Sequence, residues 1–310
     1  MSWQSALACW FLRRQYLPHT RRPEISAEHA RALTAKRVWS PRVPVGWQLR
    51  EQYRDSDWPL HGEWLDPDHA AGSARIPTIL YLHGGGYYFC SPRTHRAVSF
   101  GLATRTGARL FSLDYRRAPE HRFPAALDDT LAAYRRLIAA GAQPQSLVLA
   151  GDSAGGGLAL ATLVALRDAG EPLPAGALLF SPWTDLAATG ASITTNDGAD
   201  PMFCGASIGR AAKLYLGDAP ATHPHASPLY ADLRNLPPLF IQAGSTEVLL
   251  DDARRVAERA TQAGVPVEFE VWPKMPHAWQ LWVPFLPEAG RALDDAAHFV
   301  RRVTSVREDA

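Results

Sequence analysis

One stretch of the chain, residues 147–160, restricts the possible folds more than any other. It reads Leu-Val-Leu-Ala-Gly-Asp-Ser-Ala-Gly-Gly-Gly-Leu-Ala-Leu, an apolar strand-like run followed by a glycine-rich turn and a helical sequence. Gly151 and Gly155 lie two residues on either side of Ser153, and glycines tolerate the strained dihedral angles of a sharp strand-to-helix turn. The helix that follows directs its unpaired N–H groups at whatever Ser153 contacts. The stretch therefore predicts a nucleophilic serine, with an ordinary glycine-serine turn as the alternative.

The composition excludes several classes of protein. The chain has 310 residues, of which 46% are hydrophobic and 20% charged, and its net charge is +1. This balance gives no strongly basic face for nucleic acid, and no run reaches the roughly 20 apolar residues of a membrane-spanning helix. Cys9, Cys90 and Cys204 are scattered without the spacing of metal ligands, which is typical of free thiols in a reducing compartment. We therefore expect a cytoplasmic protein with no metal and no cofactor.

The N-terminus contains a short aromatic and apolar run, residues 6–12. This run lacks the basic region before it and the small-residue cleavage site after it that a signal peptide requires. We expect it to pack on the body of the protein, with a weak interfacial helix as the alternative.

Hydrophobic periodicity predicts the fold class. Short runs of alternating apolar and polar residues at 47–53 and 60–65 indicate an antiparallel edge hairpin. Continuous apolar runs then alternate with helical sequences, which predicts a mostly parallel sheet covered on both faces by helices. The predicted buried strands are 78–82, 109–113, 147–150, 177–180, 239–243 and 267–271. The predicted helices are 94–106, 125–140, 154–169, 251–263 and 288–303.

Two segments do not follow this alternation. Residues 1–44 contain two helical sequences separated by prolines, and residues 185–237 are too long for a single crossover helix. We expect both segments to form a helical cap. The core then consists of a first part, residues 45–184, and a second part, residues 238–310.

A nucleophilic serine needs a base and a group that orients the base. His277 directly follows the last predicted strand, which is the place expected for the base when the acid and the histidine lie on loops after late strands. Glu247 lies in the loop after strand 239–243, whereas Asp251 and Asp252 belong to the start of the next helix. We expect Glu247 to hold the tautomer of His277 that can deprotonate Ser153.

Stabilisation of an oxyanion has its own motif. The strand 78–82 is followed by His-Gly-Gly-Gly-Tyr, and glycines let backbone N–H groups approach a substrate closely. We expect the N–H groups of Gly84, Gly85 and Ala154 to form this oxyanion hole. A phosphate-binding loop is the alternative, but the Lys-Ser/Thr pair and the G-x-G-x-x-G spacing are both missing.

Three separated motifs together resemble the bacterial hormone-sensitive-lipase family of carboxylesterases, in its G-D-S-A-G branch. They are residues 83–86, residues 114–126 and residues 151–156, and the resemblance extends over about residues 45–305. It implies an eight-stranded α/β-hydrolase core with a helical cap, and hydrolysis of short to medium acyl esters through an acyl-enzyme. Many members carry Asp in the acid position where this chain has Glu247, so Asp251 stays the alternative acid. Residues 114–126 are interpreted as structural support for the loop that carries the oxyanion hole.

Other activities remain open at this stage. A lactone hydrolase, an acetyl-ester hydrolase or an amide hydrolase would use the same three side chains, and a receptor for small molecules would use the same fold without catalysis. The expected partner is a small ester substrate, without nucleic acid or stable membrane insertion, and a homodimer is left open. The side chains expected to line the substrate pocket are Tyr87, Tyr88, Trp183, Met202, Phe203, Tyr215 and Trp279.

Overall fold

A single mixed sheet forms the centre of the protein. The structure, a computed structural model, describes residues 2–37, 39–70 and 76–305. The ends of the predicted cap and core segments, residues 1 and 306–310, lie outside these ranges, as do residues 38 and 71–75. Within them the sheet has eight strands in the order β1-β2-β4-β3-β5-β6-β7-β8. These strands are β1 (Trp47–Gln52), β2 (Gly62–Pro67), β3 (Thr78–Leu82), β4 (Arg109–Leu113), β5 (Leu147–Asp152), β6 (Gly176–Phe180), β7 (Leu239–Gly244) and β8 (Val267–Trp272).

The direction of the strands follows the sequence pattern. Strands β1 and β2 form the predicted antiparallel edge hairpin, and β2 also pairs antiparallel with β4. The remaining neighbours, from β4 through β3 to β8, are parallel. Every residue of β3 and β5 is buried, as expected for strands covered on both faces. The predicted fold class, a mostly parallel eight-stranded α/β sheet, is confirmed.

Helices cover both faces of the sheet and form two further segments. They are α1 (Trp3–Gln15), α2 (Leu17–Thr20), α3 (Ala27–Arg37), α4 (Arg96–Thr106), α5 (Ala125–Ala139), α6 (Ala154–Asp168), α7 (Ser192–Thr195), α8 (Gly205–Leu216), α9 (Leu250–Gln262) and α10 (Pro287–Thr304). Among the described residues, no helix has the length and apolar character that crossing a bilayer requires.

The N-terminal segment differs from the prediction of two helices, because it forms three. Pro18, one of the prolines between the two predicted helices, occupies one of the first positions of the short helix α2. The first helical N–H groups have no intrahelical acceptor, so a proline costs little there.

The packing of the core fixes where the site can form. One apolar cluster joins the sheet to α5, α6 and α9, and a second on the opposite face joins it to α4 and α10. Helix α6 packs against β5 and β6 and is buried along most of its length. The carboxyl ends of the parallel strands therefore meet at one edge, where the loops after β3, β5, β7 and β8 lie close together.

Candidate active site

Ser153 occupies the sharp turn between β5 and α6. Its backbone angles are φ +54° and ψ −122°, a region that non-glycine residues seldom adopt. The turn is held from the next strand, because the N–H of Ser153 donates to the carbonyl of Phe180 over 2.8 Å. The carbonyl of Ser153 accepts from the N–H of Trp183 over 2.9 Å. The strained conformation is thus imposed by neighbouring backbone, which is the expected geometry of a nucleophile elbow.

The glycines of the turn are required by close backbone contacts. A Cβ atom on Gly155 would lie 1.9 Å from the carbonyl oxygen of Leu82, the last residue of β3. One on Gly151 would lie 2.4 Å from the backbone of Gly155. Strand β3 therefore passes too close to the turn for any side chain, which explains the spacing of glycines around Ser153.

The candidate base and acid form a buried pair. Nδ1 of His277 lies 2.8 Å from Oε2 of Glu247, and both side chains are almost fully buried. The other carboxylate oxygen, Oε1, accepts a hydrogen bond from the hydroxyl of Ser181 over 2.7 Å and another from the N–H of Gly244. Two donors on Oε1 fix the carboxylate so that Oε2 faces the imidazole.

The electrostatic environment of His277 suits a base. Burial alone lowers the pKa of His277, but the Glu247 carboxylate, with smaller contributions from Asp200 and Asp152, raises that pKa above its ordinary value. The second ring nitrogen, Nε2, is buried and has no hydrogen-bond partner within the described ranges. His277 and Ser153 line the same cavity, so Nε2 is available to a hydroxyl there.

The alternative acid has a different task. The carboxylate of Asp251 accepts from the N–H of Ser192 over 2.9 Å and pairs with Arg254. Its neighbour Asp252 accepts from the N–H groups of Thr184 and Asp185, each over 2.8 Å. Both aspartates belong to the first turn of α9, but they bind the backbone of the segment that follows β6. The geometry therefore assigns the contact with the imidazole to Glu247.

The predicted oxyanion hole needs one correction. The N–H of Gly84 donates to Oδ1 of Asp152 over 3.0 Å and lies 3.2 Å from Nε2 of His95. A Cβ on Gly84 would also lie 2.2 Å from Asp152. This N–H is therefore engaged inside the protein and does not point at a substrate.

The next two glycines line the cavity instead. Gly85 and Gly86 are part of its wall, and both have positive φ angles. Ala154 is the first residue of α6, where helical N–H groups have no intrahelical acceptor. Gly86 is a lining residue that was not among the predicted oxyanion donors. A run of three glycines did not indicate which of them was tied to Asp152.

Asp152 holds the glycine loop against the nucleophile turn. Besides Gly84, its carboxylate accepts a hydrogen bond from the Tyr81 hydroxyl over 2.7 Å and lies 3.2 Å from Nε2 of His95. Burial raises the pKa of Asp152, but the two histidines His95 and His83 and the Tyr81 hydrogen bond outweigh burial, and the pKa is lowered. A charged Asp152 thus links the loop after β3 to the end of β5.

The cavity in front of Ser153 has a volume of about 180 Å³. Four of the predicted pocket residues are among those that line it: Tyr88, Trp183, Met202 and Phe203. The other three lie elsewhere: the rings of Tyr87 and Tyr215 stack on each other at 3.8 Å, and Trp279 packs against Trp272. All three are at most 1% exposed, so they contribute to the core behind the cavity rather than to its wall.

The N-terminal segment supplies part of the wall that the sequence did not indicate. Ile25, His29 and Leu33 line the cavity from the side of α3. Arg31 fixes this helix, since its guanidinium donates to the carbonyls of Tyr88 and Ala118 and pairs with Glu120, all within 2.8 Å. No motif marks these residues, because only the folded chain brings α3 over the glycine loop.

Residues 114–126 support the glycine loop from below. Arg117 donates to the carbonyl of Cys90 and lies 3.5 Å from the carboxylate of Asp114. His83, at the start of the loop, stacks on Tyr115, whose hydroxyl donates to the His83 carbonyl. These contacts agree with the interpretation of the segment as structural.

A buried carboxylate couples the segment after β6 to the acid loop. Asp200 accepts the N–H groups of Met202 and Phe203 on Oδ1, over 2.7 and 3.0 Å, and that of Val248 on Oδ2 over 2.9 Å. The ring of Phe203 stands edge-on to His277 with 5.0 Å between centroids. Asp200 thus fixes Val248, the neighbour of Glu247, and also Phe203, whose ring packs on the imidazole of His277.

Comparison with known proteins agrees with this geometry. A family model described as alpha/beta hydrolase fold matches residues 79–281. An acetyl-hydrolase of Streptomyces hygroscopicus is 50% identical over 242 residues, covering 78% of this chain and 80% of the relative. An esterase of Acinetobacter venetianus is 39% identical over 230 residues, covering 74% of this chain and 76% of the relative. The crystal structure of an esterase from the bacterial hormone-sensitive lipase family superposes with a TM-score of 0.88 at 42% identity, over 98% of this chain and 99% of that one.

Proposed function

This chain belongs to the α/β-hydrolase fold family, and we propose that it is a serine carboxylesterase acting on esters of short to medium acyl chains. One observation carries the proposal. His277, whose Nδ1 lies 2.8 Å from Oε2 of the buried Glu247, lines the same cavity as the strained Ser153. Such an arrangement of base and orienting acid in the same cavity as a serine hydroxyl is what nucleophilic acyl transfer requires.

In the first half of the reaction, the Ser153 hydroxyl oxygen attacks the ester carbonyl carbon while Nε2 of His277 takes the hydroxyl proton. The carbonyl oxygen becomes an oxyanion, which the N–H groups of Gly85, Gly86 and Ala154 stabilise. Collapse of this intermediate breaks the bond to the alcohol oxygen, and His277 returns the proton to the leaving alcohol. The acyl group is then bound to Ser153.

The second half of the reaction uses water in place of the alcohol. His277 takes a proton from the water as its oxygen attacks the acyl carbon, and the same N–H groups stabilise the second oxyanion. The bond to Ser153 then breaks and the serine recovers its proton from His277. Glu247 stabilises the imidazolium at each stage because its carboxylate faces Nδ1.

Two segments act together as a cap in this proposal. Residues 1–44 contribute α3 to the cavity wall, and residues 185–237 contribute Met202, Phe203 and α8. The core would then comprise residues 45–184 and 238–310. The hydrogen bonds from Arg31 to Tyr88, in the loop after β3, and to Ala118, in the loop after β4, support a cap that is fixed to the core at these two loops.

The size of the cavity favours small acyl groups. A volume of about 180 Å³ is below the range of roughly 300–1,000 Å³ that is usual for pockets holding drug-sized ligands. The Streptomyces relative is named an acetyl-hydrolase, so hydrolysis of acetyl esters is the second candidate. We further propose a cytoplasmic location, supported by three cysteines without disulfides, and a homodimer through the free edge of β8.

The test combines labelling with kinetics. The wild-type chain should react with a fluorophosphonate probe and hydrolyse p-nitrophenyl acetate and butyrate, whereas Ser153→Ala should lose both labelling and more than about 10⁵-fold of the activity. Lactones and anilides in the same panel distinguish the related reactions. If the wild-type chain is folded but neither labels nor turns over any ester, the chain is a receptor and the proposal is wrong.

A further inference from the structure

The first helix presents its large apolar side chains to solvent. Trp3, Leu7 and Trp10 occur at intervals of four and three residues, so they share one face of α1, and they are 73%, 54% and 54% exposed. The opposite face, which packs on the protein, carries the buried Ser5, Ala8 and Leu12. The expectation that the run at residues 6–12 packs on the body of the protein fails for Leu7 and Trp10, whereas Phe11 packs edge-on against Trp282 as expected.

The same face ends in a positive charge. Arg14 follows Trp10 by four residues, and its guanidinium lies over the Trp10 ring at 5.3 Å from the centroid. The first 37 residues contain seven Arg or Lys residues and two Glu residues, whereas the whole chain has a net charge of only +1. The N-terminal segment therefore has a net charge of +5, seven minus two, while the remainder of the chain is net negative. Arg14 is the cation that the structure places at the ring of an exposed tryptophan of this face.

We propose that this face of α1, defined by Trp3, Leu7, Trp10 and Arg14, docks reversibly on the surface of a bilayer containing anionic lipid. Tryptophan and leucine on one side of a helix insert at the boundary between headgroups and acyl chains, and nearby cations are attracted to anionic headgroups. Charge complementarity selects an anionic surface over a zwitterionic one. The helix lies in the plane of the interface and does not cross it.

A second copy of the chain fits this face less well. A stable protein interface buries about 800 Å² on each partner with 20 to 30 residues, whereas α1 presents only three large apolar side chains here. Two such faces would also bring Arg14 and its neighbouring cations together, which is unfavourable. A lipid surface removes the same side chains from water without this repulsion.

Docking through α1 has a consequence for access to the cavity. Helix α1 leads through Tyr16 into α2 and α3, and Tyr16, His19 and Arg22 line the cavity. The segment that binds lipid is therefore continuous with the segment at the rim of the site. Docking would therefore hold residues that line the cavity near the bilayer surface.

The experiment measures binding of the full chain to sucrose-loaded vesicles by sedimentation. We expect binding to phosphatidylcholine vesicles with 30% phosphatidylglycerol, weak binding to phosphatidylcholine alone, and a decrease when salt is raised. The triple variant Trp3→Gln, Leu7→Gln, Trp10→Gln should lose at least about tenfold of the partition coefficient. Arg14→Glu should lose roughly fivefold or more.

Matched controls separate this effect from general damage. Trp58→Gln removes a tryptophan that is 59% exposed outside the N-terminal segment, and Arg136→Glu makes the same charge change on the exposed side of α5. Both should bind vesicles as the wild type does. Hydrolysis of water-soluble p-nitrophenyl acetate should be unchanged in all variants. This assay tests the proposed esterase reaction, and sedimentation tests lipid binding, so the failure of one proposal can be told from the failure of the other.

Two results would overturn the inference. One is a wild-type chain that sediments with anionic vesicles no more than without them. The other is a triple variant that binds as tightly as the wild type. A wild-type dimer that the triple variant converts to a monomer, without vesicle binding by either, would assign the face to a second copy instead.

Discussion

Replacing Glu247 by glutamine tests the orientation of His277 most directly. In the native structure Oε1 of Glu247 accepts two hydrogen bonds, from the Ser181 hydroxyl and the Gly244 N–H, while Oε2 accepts from Nδ1 of His277. Glutamine has one acceptor oxygen and one NH₂ group. The two donors hold the oxygen on their side, so the NH₂ group must face His277 and Nδ1 must become an acceptor.

The size of the effect follows from this change of tautomer. When Nδ1 accepts, the proton of the neutral imidazole is on Nε2, and Nε2 can no longer take the proton of Ser153. A comparable loss of the correct tautomer in a serine protease lowers kcat about 10⁴-fold, which corresponds to about 5 kcal/mol. We expect Glu247→Gln to lower kcat by about 10³- to 10⁴-fold, with a smaller change in KM.

The pH profile provides a second measurement on the same variant. The carboxylate of Glu247 is the main reason that the pKa of His277 lies above its ordinary value of 6.5. Since the neutral imidazole is the active form, kcat/KM of the wild type should fall as pH drops through that raised pKa. In the glutamine variant the charge is gone, so the acid limb of the remaining activity should move to lower pH.

The assay is hydrolysis of p-nitrophenyl butyrate from pH 5 to 9, with thermal unfolding as a check on the fold. Asp251→Asn is the matched control, because Asp251 was the alternative acid and contacts Ser192 and Arg254 instead of the imidazole. It should stay within about threefold of wild-type kcat, since no contact to His277 changes. A glutamine variant within tenfold of wild type, or a hundredfold loss in Asp251→Asn, would refute the assignment of the acid.

Three further substitutions test other parts of the site. Gly86→Ala places a Cβ 2.8 Å from the Tyr88 ring at a φ of +57°. We expect kcat to fall about 100-fold and KM to change less, whereas a rise in KM as large as the fall in kcat would argue against an oxyanion role. Asp200→Asn sets an NH₂ group against a backbone N–H and should cost about 2 kcal/mol, seen as a melting temperature lower by about 3 °C. An unchanged melting temperature would contradict the buried contacts. Arg31→Met frees α3 and should raise KM roughly threefold or more with little change in kcat, as measured with the butyrate ester; an unchanged KM would show that α3 does not close the cavity.

The sequence by itself determined the sheet and the position of the nucleophile turn. A strand made of a continuous apolar run is most stable in a sheet covered on both faces. Such runs predicted the six strands that pair in parallel, within a few residues of their observed ends. The spacing of the glycines predicted the turn at Ser153. The physical reason for that spacing is that a Cβ on Gly151 or Gly155 would lie 1.9 to 2.4 Å from backbone atoms. Chain order then selected Glu247 and His277, which lie on loops after late strands.

The tertiary structure decided everything that depends on contacts between distant segments. Which of three adjacent glycines keeps a free N–H is set by Asp152, 68 residues from Gly84 in sequence, and no local pattern contains that information. The same holds for Tyr87, Tyr215 and Trp279, whose apolar character fits a cavity wall and a core equally well. Apolar character predicts that a side chain is buried. Only the packing of α1 shows that Trp3 and Trp10 stay exposed to solvent. Local sequence specifies conformation, whereas the partners of a side chain depend on how the loops at the carboxyl edge of the sheet converge.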